Sequence, residues 1–201
     1  MFVLTIDQQG STGNPDRVPE LLETLSAATA TRTGVVLPFE RTVGDEVQGL
    51  CEDAGTTLDA VLAVARSGGW STGLGVGTVA RPLPPSTREA TGDAFVAARA
   101  AVDRAKARGT GAALAVDGAR ARDCRDAEAV LRLVAAVLAR RSAPGWEAVD
   151  TLAAYEGRRK DVAAALGITE QAVSQRLRAA LQSEVDAVRP VAERLLTEAD
   201  R

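Results

Sequence analysis

Asp7 and Asp45 are the residues of this chain best suited to metal chemistry. Asp7 closes a short strand-like run, Phe2-Val3-Leu4-Thr5-Ile6, and Asp45 follows Gly44 in a tight reversal between two further strand-like segments. If those strands are sheet neighbours, both carboxylates reach one edge. Paired oxygen ligands of this kind suit Mg2+ or Mn2+, which can also bridge nucleotide phosphates. Glu46 adds a third ligand unless strand alternation turns it the other way. The backbone amides of Gly10-Ser11-Thr12-Gly13, together with that of Gly44, can donate to phosphate oxygens, as loops entering helices do. On spacing alone, ordinary turns account for the same residues, because Asp and Gly dominate turns.

A second constellation lies near the other end. Within Lys160 to Leu177, Val162, Ala163 and Leu166 form an apolar stripe. Gly167 permits a left-handed turn. Thr169 can cap the next helix through its side-chain oxygen. Val173 and Leu177 lie one turn apart and face back toward the first helix. The pattern predicts a helix-turn-helix. Its outer face offers Gln171, Ser174, Gln175 and Arg178 to base edges and phosphates, with Thr169, Arg159 and Lys160 beside them. Residues 158–180 hold five basic and two acidic side chains. That local sign fits phosphate binding. The alternative is a packing module that kept the helices and lost DNA. The Gln and Arg face speaks against it, since packing alone would favour apolar groups.

Composition limits the remaining chemistry. With 201 residues the chain can form one large domain or two modest ones. Aromatics are only 3%, so the core must be mostly Ala, Val and Leu. There is no His, which removes Ser-His-Asp, Cys-His and imidazole–zinc chemistry. Cys51 and Cys124 are too few and too far apart for a disulfide framework or a thiolate metal site, and a cytoplasmic location is the simplest expectation. The net charge of -3 means that any DNA footprint is local. No apolar run is long enough to span a bilayer, and no signal-peptide core follows the start.

These residues need elements to position them. The reading is a strand at Phe2–Ile6, a helix from Pro15 to about Ala28, and strands over Val35–Val43 and Glu46–Cys51. A helix at Thr57–Arg66 and a strand at Trp70–Val79 follow. A helix from Asp93 to Arg108 is broken by Gly109-Thr110-Gly111, and Ala112–Val116 is a buried strand. This order predicts an α+β fold: a βαββαβ sheet containing antiparallel strands, with helices on one face and right-handed crossovers. Residues 1–118 form that first domain, 119–143 a linking helix, and 144–201 an all-α helix-turn-helix domain. Pro190 kinks or divides the last helix.

Residues 1–118 resemble the SatD family, whose sheet is similar to the palm domain of class III nucleotidyl cyclases and diguanylate cyclases. The likeness is carried by Thr5-Ile6-Asp7-Gln8-Gln9-Gly10-Ser11, Gly44-Asp45-Glu46-Val47-Gln48-Gly49-Leu50, Gly73-Leu74-Gly75-Val76-Gly77 and Gly92 to Arg99. It implies a ferredoxin-like, palm-type sheet. It also implies that Asp7 and Asp45 hold two metal ions on a triphosphate, and that Arg99 stabilises charge during transfer if the protein is an enzyme. Phe95 departs from the cyclases, which place a ribose-orienting asparagine there. Without the resemblance, Arg99 is equally well a surface helix residue pairing with Asp93, Asp103 or Glu89. Asp161 to Ala180 is similar to the helix-turn-helix of sigma-factor region 4 and related regulators.

The expected function is DNA-binding regulation, of transcription, with a nucleotide- and metal-binding palm-like sensor. The alternatives are a divalent-metal-dependent nucleotidyl cyclase or nucleotidyltransferase, and an interaction scaffold. The expected partner is double-stranded DNA, bound by a homodimer. Two seams are available for pairing: Val130 to Leu138, and the terminal helix with Val185, Val188, Val191 and Leu195. Both can instead join the two domains within one chain.

Overall fold

The computed structural model describes residues 1–108 and 112–201. The expected break at Gly109-Thr110-Gly111 lies outside the described residues. A mixed α/β sheet region comes first and an all-helical bundle follows.

Strand β1 (Phe2–Gln8) is the centre of the sheet, antiparallel to β3 (Glu46–Cys51) on one side and to β4 (Trp70–Val76) on the other. Strand β2 (Val35–Arg41) extends the sheet beyond β3, and β5 (Leu114–Gly118) pairs in parallel with β4. The spatial order is β2-β3-β1-β4-β5. The β2–β3 hairpin closes where Thr42 N–H donates to the Glu46 carbonyl at 2.9 Å, which ends β2 short of Val43. Its ladder shifts register between Leu37 and Glu40, across Pro38, which has no N–H to donate.

Helix α1 is Val18–Thr29, α2 is Ala54–Ser67 and α3 is Asp93–Lys106. Helix α2 begins earlier than periodicity alone suggests, because the Asp53 carboxylate caps it by accepting from Thr56 N–H at 2.8 Å. Helix α4 (Ala121–Ala139) fills the expected linking segment and packs along β5.

The helices cover both faces of the sheet, which corrects the one-face expectation. Phe2, Leu4 and Ile6 point toward α1, α2 and α4, where Leu21, Leu58 and Leu131 meet them. Val3 points the other way, toward Ala94 and Ala98 of α3. Strand alternation splits β1 into two apolar faces, and each needs cover. On the α3 face, Gly75 lets the helix backbone approach: a Cβ there would lie 2.0 Å from the Ala94 carbonyl oxygen.

Three short helices, α5 (Ala143–Ala154), α6 (Arg159–Leu166) and α7 (Glu170–Ala179), enclose a small core of their own. It contains Ala148, Val162, Ala163, Val173 and Leu177. Helix α8 (Gln182–Ala199) runs through Pro190 without division. Its Ala192, Leu196 and Ala199 enter the core beneath the sheet, and Val185 packs on Val134 and Leu138 of α4. The last helix therefore shares its core with the sheet region. The two apolar seams expected on α4 and α8 largely cover each other within the chain. Leu133 and Val191 stay outside that contact, 64% and 38% exposed.

Among the described residues, no helix is long and apolar enough to cross a membrane. Both cysteines are buried and unbridged. Burial pushes the Cys51 thiol up to about 12 and the Cys124 thiol up to about 11. Both stay protonated at neutral pH, as core residues rather than nucleophiles.

Candidate functional site

The Asp7 end of β1 is a set of ion pairs. Asp7 and Glu46 are register partners across β1 and β3, so their side chains leave the sheet on the same face. Alternation thus brings Glu46 to Asp7. Helix α3 supplies the counter-charges: Lys106 Nζ lies 2.7 Å from Asp7 Oδ2, and Arg99 Nη1 bonds Glu46 Oε2. Arg99 also reaches Asp103 at 4.0 Å. Thr42 Oγ1 donates to the other Glu46 oxygen at 2.7 Å. Lys106 was not among the residues expected at this site. The signal was present, since Arg99, Asp103 and Lys106 recur at i, i+4 and i+7 on one helix face. Phe95 packs against the apolar cluster of Val3, Leu37 and Leu50.

Asp45 precedes Glu46 at the start of β3. With Gly44 it lines a shallow cavity of about 320 Å³, together with Gln8, Ser11, Asn14, Asp16 and Arg41. Asn14 Nδ2 donates to the Gly10 carbonyl at 2.6 Å, and Thr12 and Gly13 are exposed. The first turn of α1 already has an anion, because Asp16 Oδ1 accepts from Val18 N–H at 3.0 Å. Arg41 pairs with the other Asp16 oxygen and donates to the Gly44 carbonyl at 3.0 Å. The Arg41 hydrogen bond, followed by that from Val18 N–H, holds the Asp16 carboxyl below its usual range.

Asp7 and Glu46 each pair with a cation of α3, and Asp45 lines the cavity that Gln8 also lines. Among the described residues, no three His, Cys, Asp or Glu side chains are grouped to hold a metal ion.

The helical constellation is assembled differently. Gly167 ends α6 with a left-handed φ of 63°, and Thr169 Oγ1 accepts from Ala172 N–H at 3.1 Å to start α7. Val173 and Leu177 are buried on the inner side of α7, while Gln171, Gln175 and Arg178 are exposed and Ser174 is half-buried. Arg176 is spent on structure, tying α7 to α5 through Glu147 at 2.7 Å. Arg158 is likewise held by Asp161 and Glu156. Arg159, Lys160 and Arg178 are exposed and have no ion-pair partner among the described residues. These cations and the α7 amides share one small unit, positioned by its own core.

The unit is also anchored to the sheet region. Arg66 of α2 makes a two-pronged pair with Asp150 of α5, both contacts at 2.6 Å, and lies 4.2 Å from the Trp146 ring centroid. The pair with Asp150 raises the Arg66 guanidinium above its ordinary value.

Comparison of the chain with protein-family models, with curated proteins and with solved structures finds no match.

Proposed function

We propose that the protein is a DNA-binding regulator that reads duplex DNA with α6 and α7 as a helix-turn-helix. The observation that carries this reading is the set of uncommitted cations, Arg159, Lys160 and Arg178, beside the exposed amides of Gln171 and Gln175. Cations without carboxylate partners are free to displace counterions from phosphates. The exposed Gln side chains can pair with adenine edges, and Arg178 with guanine or phosphate.

Fluorescence anisotropy on duplex DNA tests it. Each phosphate contact contributes about −0.9 to the slope of log affinity against log salt. Replacing Arg159 and Lys160 with Ala should flatten that slope by about 2 and weaken all sequences alike. Arg178→Ala should cost about 1–3 kcal/mol on a preferred site. Equal affinity and slope in parent and variants would sink the proposal. Sedimentation of the same complexes shows whether two copies bind, as a paired half-site requires. Leu133 and Val191 offer the apolar surface for that pairing.

A second reading keeps the SatD and palm resemblance: a nucleotide- and metal-binding sensor, or a nucleotidyl cyclase or nucleotidyltransferase. The strand order β2-β3-β1-β4, with crossovers through α1 and α2, favours it, because a ferredoxin-like βαββαβ unit has that arrangement. In this reading Mg2+ or Mn2+ competes with Lys106 and Arg99 for Asp7 and Glu46. Calorimetry with Mn2+ and ATP or GTP should show binding that falls sharply in Asp7→Asn and Asp45→Asn. Identical heats in all three proteins would remove the sensor and the enzyme together. If heat is seen, an intact nucleotide after long incubation marks a sensor, and released pyrophosphate marks an enzyme.

A further inference from the structure

The inner face of α4 is buried, through Leu131 in the core beneath the sheet and through Val134 and Leu138 against Val185 of α8. Its outer face is exposed along Asp126, Ala129, Leu133, Ala136 and Arg140, with Leu133 64% exposed at the centre. Successive steps of three, four, three and four residues keep these positions in line, as the seam of a helix pair requires. Beside Leu133 a groove of about 290 Å³ runs between α4 and the corner joining α7 to α8. Leu181, 41% exposed, carries the apolar surface across that groove.

The ends of this face carry opposite charges. Asp123 pairs with Arg120, and Glu128 pairs with Arg104 and Arg108. Asp126 is the carboxylate of α4 that has no ion-pair partner among the described residues, and Arg140 at the helix end has none either. Each stands seven residues, two helical turns, from Leu133, on opposite sides of it. An apolar centre flanked at equal distances by one acid and one base is complementary to itself.

We propose that two copies of this chain pair through this face, α4 against α4 and antiparallel, with Leu133 on the two-fold axis. In that register residues equally distant from Leu133 face each other. Asp126 of each copy meets Arg140 of the other, and Ala129 meets Val137. A parallel pair would set Asp126 on Asp126 and Arg140 on Arg140, and like charges repel. One like-charge pair remains in the antiparallel register, Arg125 opposite Arg141. Arg141 is drawn inward, donating from Nε to the Ala180 carbonyl at 2.7 Å and lying 4.7 Å from the Trp146 ring centroid. The groove also borders Ala179 at the end of α7, so the pairing fixes how far apart two α7 helices lie. A paired half-site requires such a fixed separation. That consequence rests on the DNA-binding reading, whereas the pairing does not.

Sedimentation equilibrium of the full chain, without DNA, tests the proposal. The mass should rise from 20.9 kDa toward twice that value, with a dissociation constant on the order of micromolar. Leu133→Asp sets two carboxylates together on the axis and should weaken pairing about a hundredfold. Asp126→Arg and Arg140→Asp should each weaken it about tenfold. An equimolar mixture of those two variants should recover the parent affinity, because each then meets the opposite charge at both ends. That recovery carries the test even if Leu133→Asp does not fold. A parent that stays monomeric to about 100 micromolar overturns the proposal. So does a mixture that pairs no better than either variant alone, which would mean a different face or partner. A parent that dimerises in this way but does not bind DNA supports the pairing and removes only the reading of α6 and α7.

Discussion

Gly75→Ala is expected to destabilise the sheet region by about 3 kcal/mol or more, enough to move its urea midpoint by about 1 M. The added Cβ would sit 2.0 Å from the Ala94 carbonyl oxygen and 2.2 Å from the Ala98 nitrogen. Those are backbone atoms of α3, so no side chain can rotate aside, and the whole helix must lift from β4. Lifting α3 also draws Lys106 and Arg99 away from Asp7 and Glu46. Gly77→Ala is the control. Its nearest contacts are 3.2 Å, and its cost should stay within about 1 kcal/mol. Urea unfolding of the two variants checks this, and matching midpoints would show that α3 does not depend on the close approach.

Val173→Asp should cost about 3–5 kcal/mol and abolish DNA binding. Val173 is fully buried in the core of α5, α6 and α7, with Ala148, Val162 and Leu177 around it. A carboxylate there has no counter-charge among those neighbours and either expels itself from the core or stays protonated. The core is small, so one such change removes a large part of what holds α7 against α6. Gln175→Ala, on the exposed side of the same helix, should leave stability within about 0.5 kcal/mol while weakening DNA. Amide hydrogen exchange separates the two. Undiminished protection of α6 and α7 in Val173→Asp would falsify the assignment of that core.

Local structure was readable wherever one residue type decides it. Gly167 and Thr169 announce a left-handed turn and a cap, and both occur with the expected hydrogen bonds. Of the expected apolar positions, Val162, Ala163, Val173 and Leu177 are buried and Leu166 is partly buried against them. The elements of the sheet region follow the expected order, with ends that differ by a few residues where a cap or a turn hydrogen bond intervenes. Asp53 at the start of α2 is one such case, since its capping role depends on a single hydrogen bond rather than on periodicity.

Other features depend on distances that no local pattern encodes. Which strands are neighbours decides that Asp7 faces Glu46, and the packing of α3 decides that Lys106 and Arg99 reach them. The second covered face of the sheet was not legible, because α3 packs through alanines against glycines and leaves only a faint apolar signal. Sequence by itself determined the helices α6 and α7, their turn and their exposed polar face, since those arise from backbone preference and a 3.6-residue period acting over a few residues. Only the tertiary structure decided that Glu46 faces Asp7 across the sheet and that α8 returns to the core beneath it. Each of these juxtaposes residues far apart in the chain, and it is the burial of shared apolar surface, not local propensity, that selects among such arrangements.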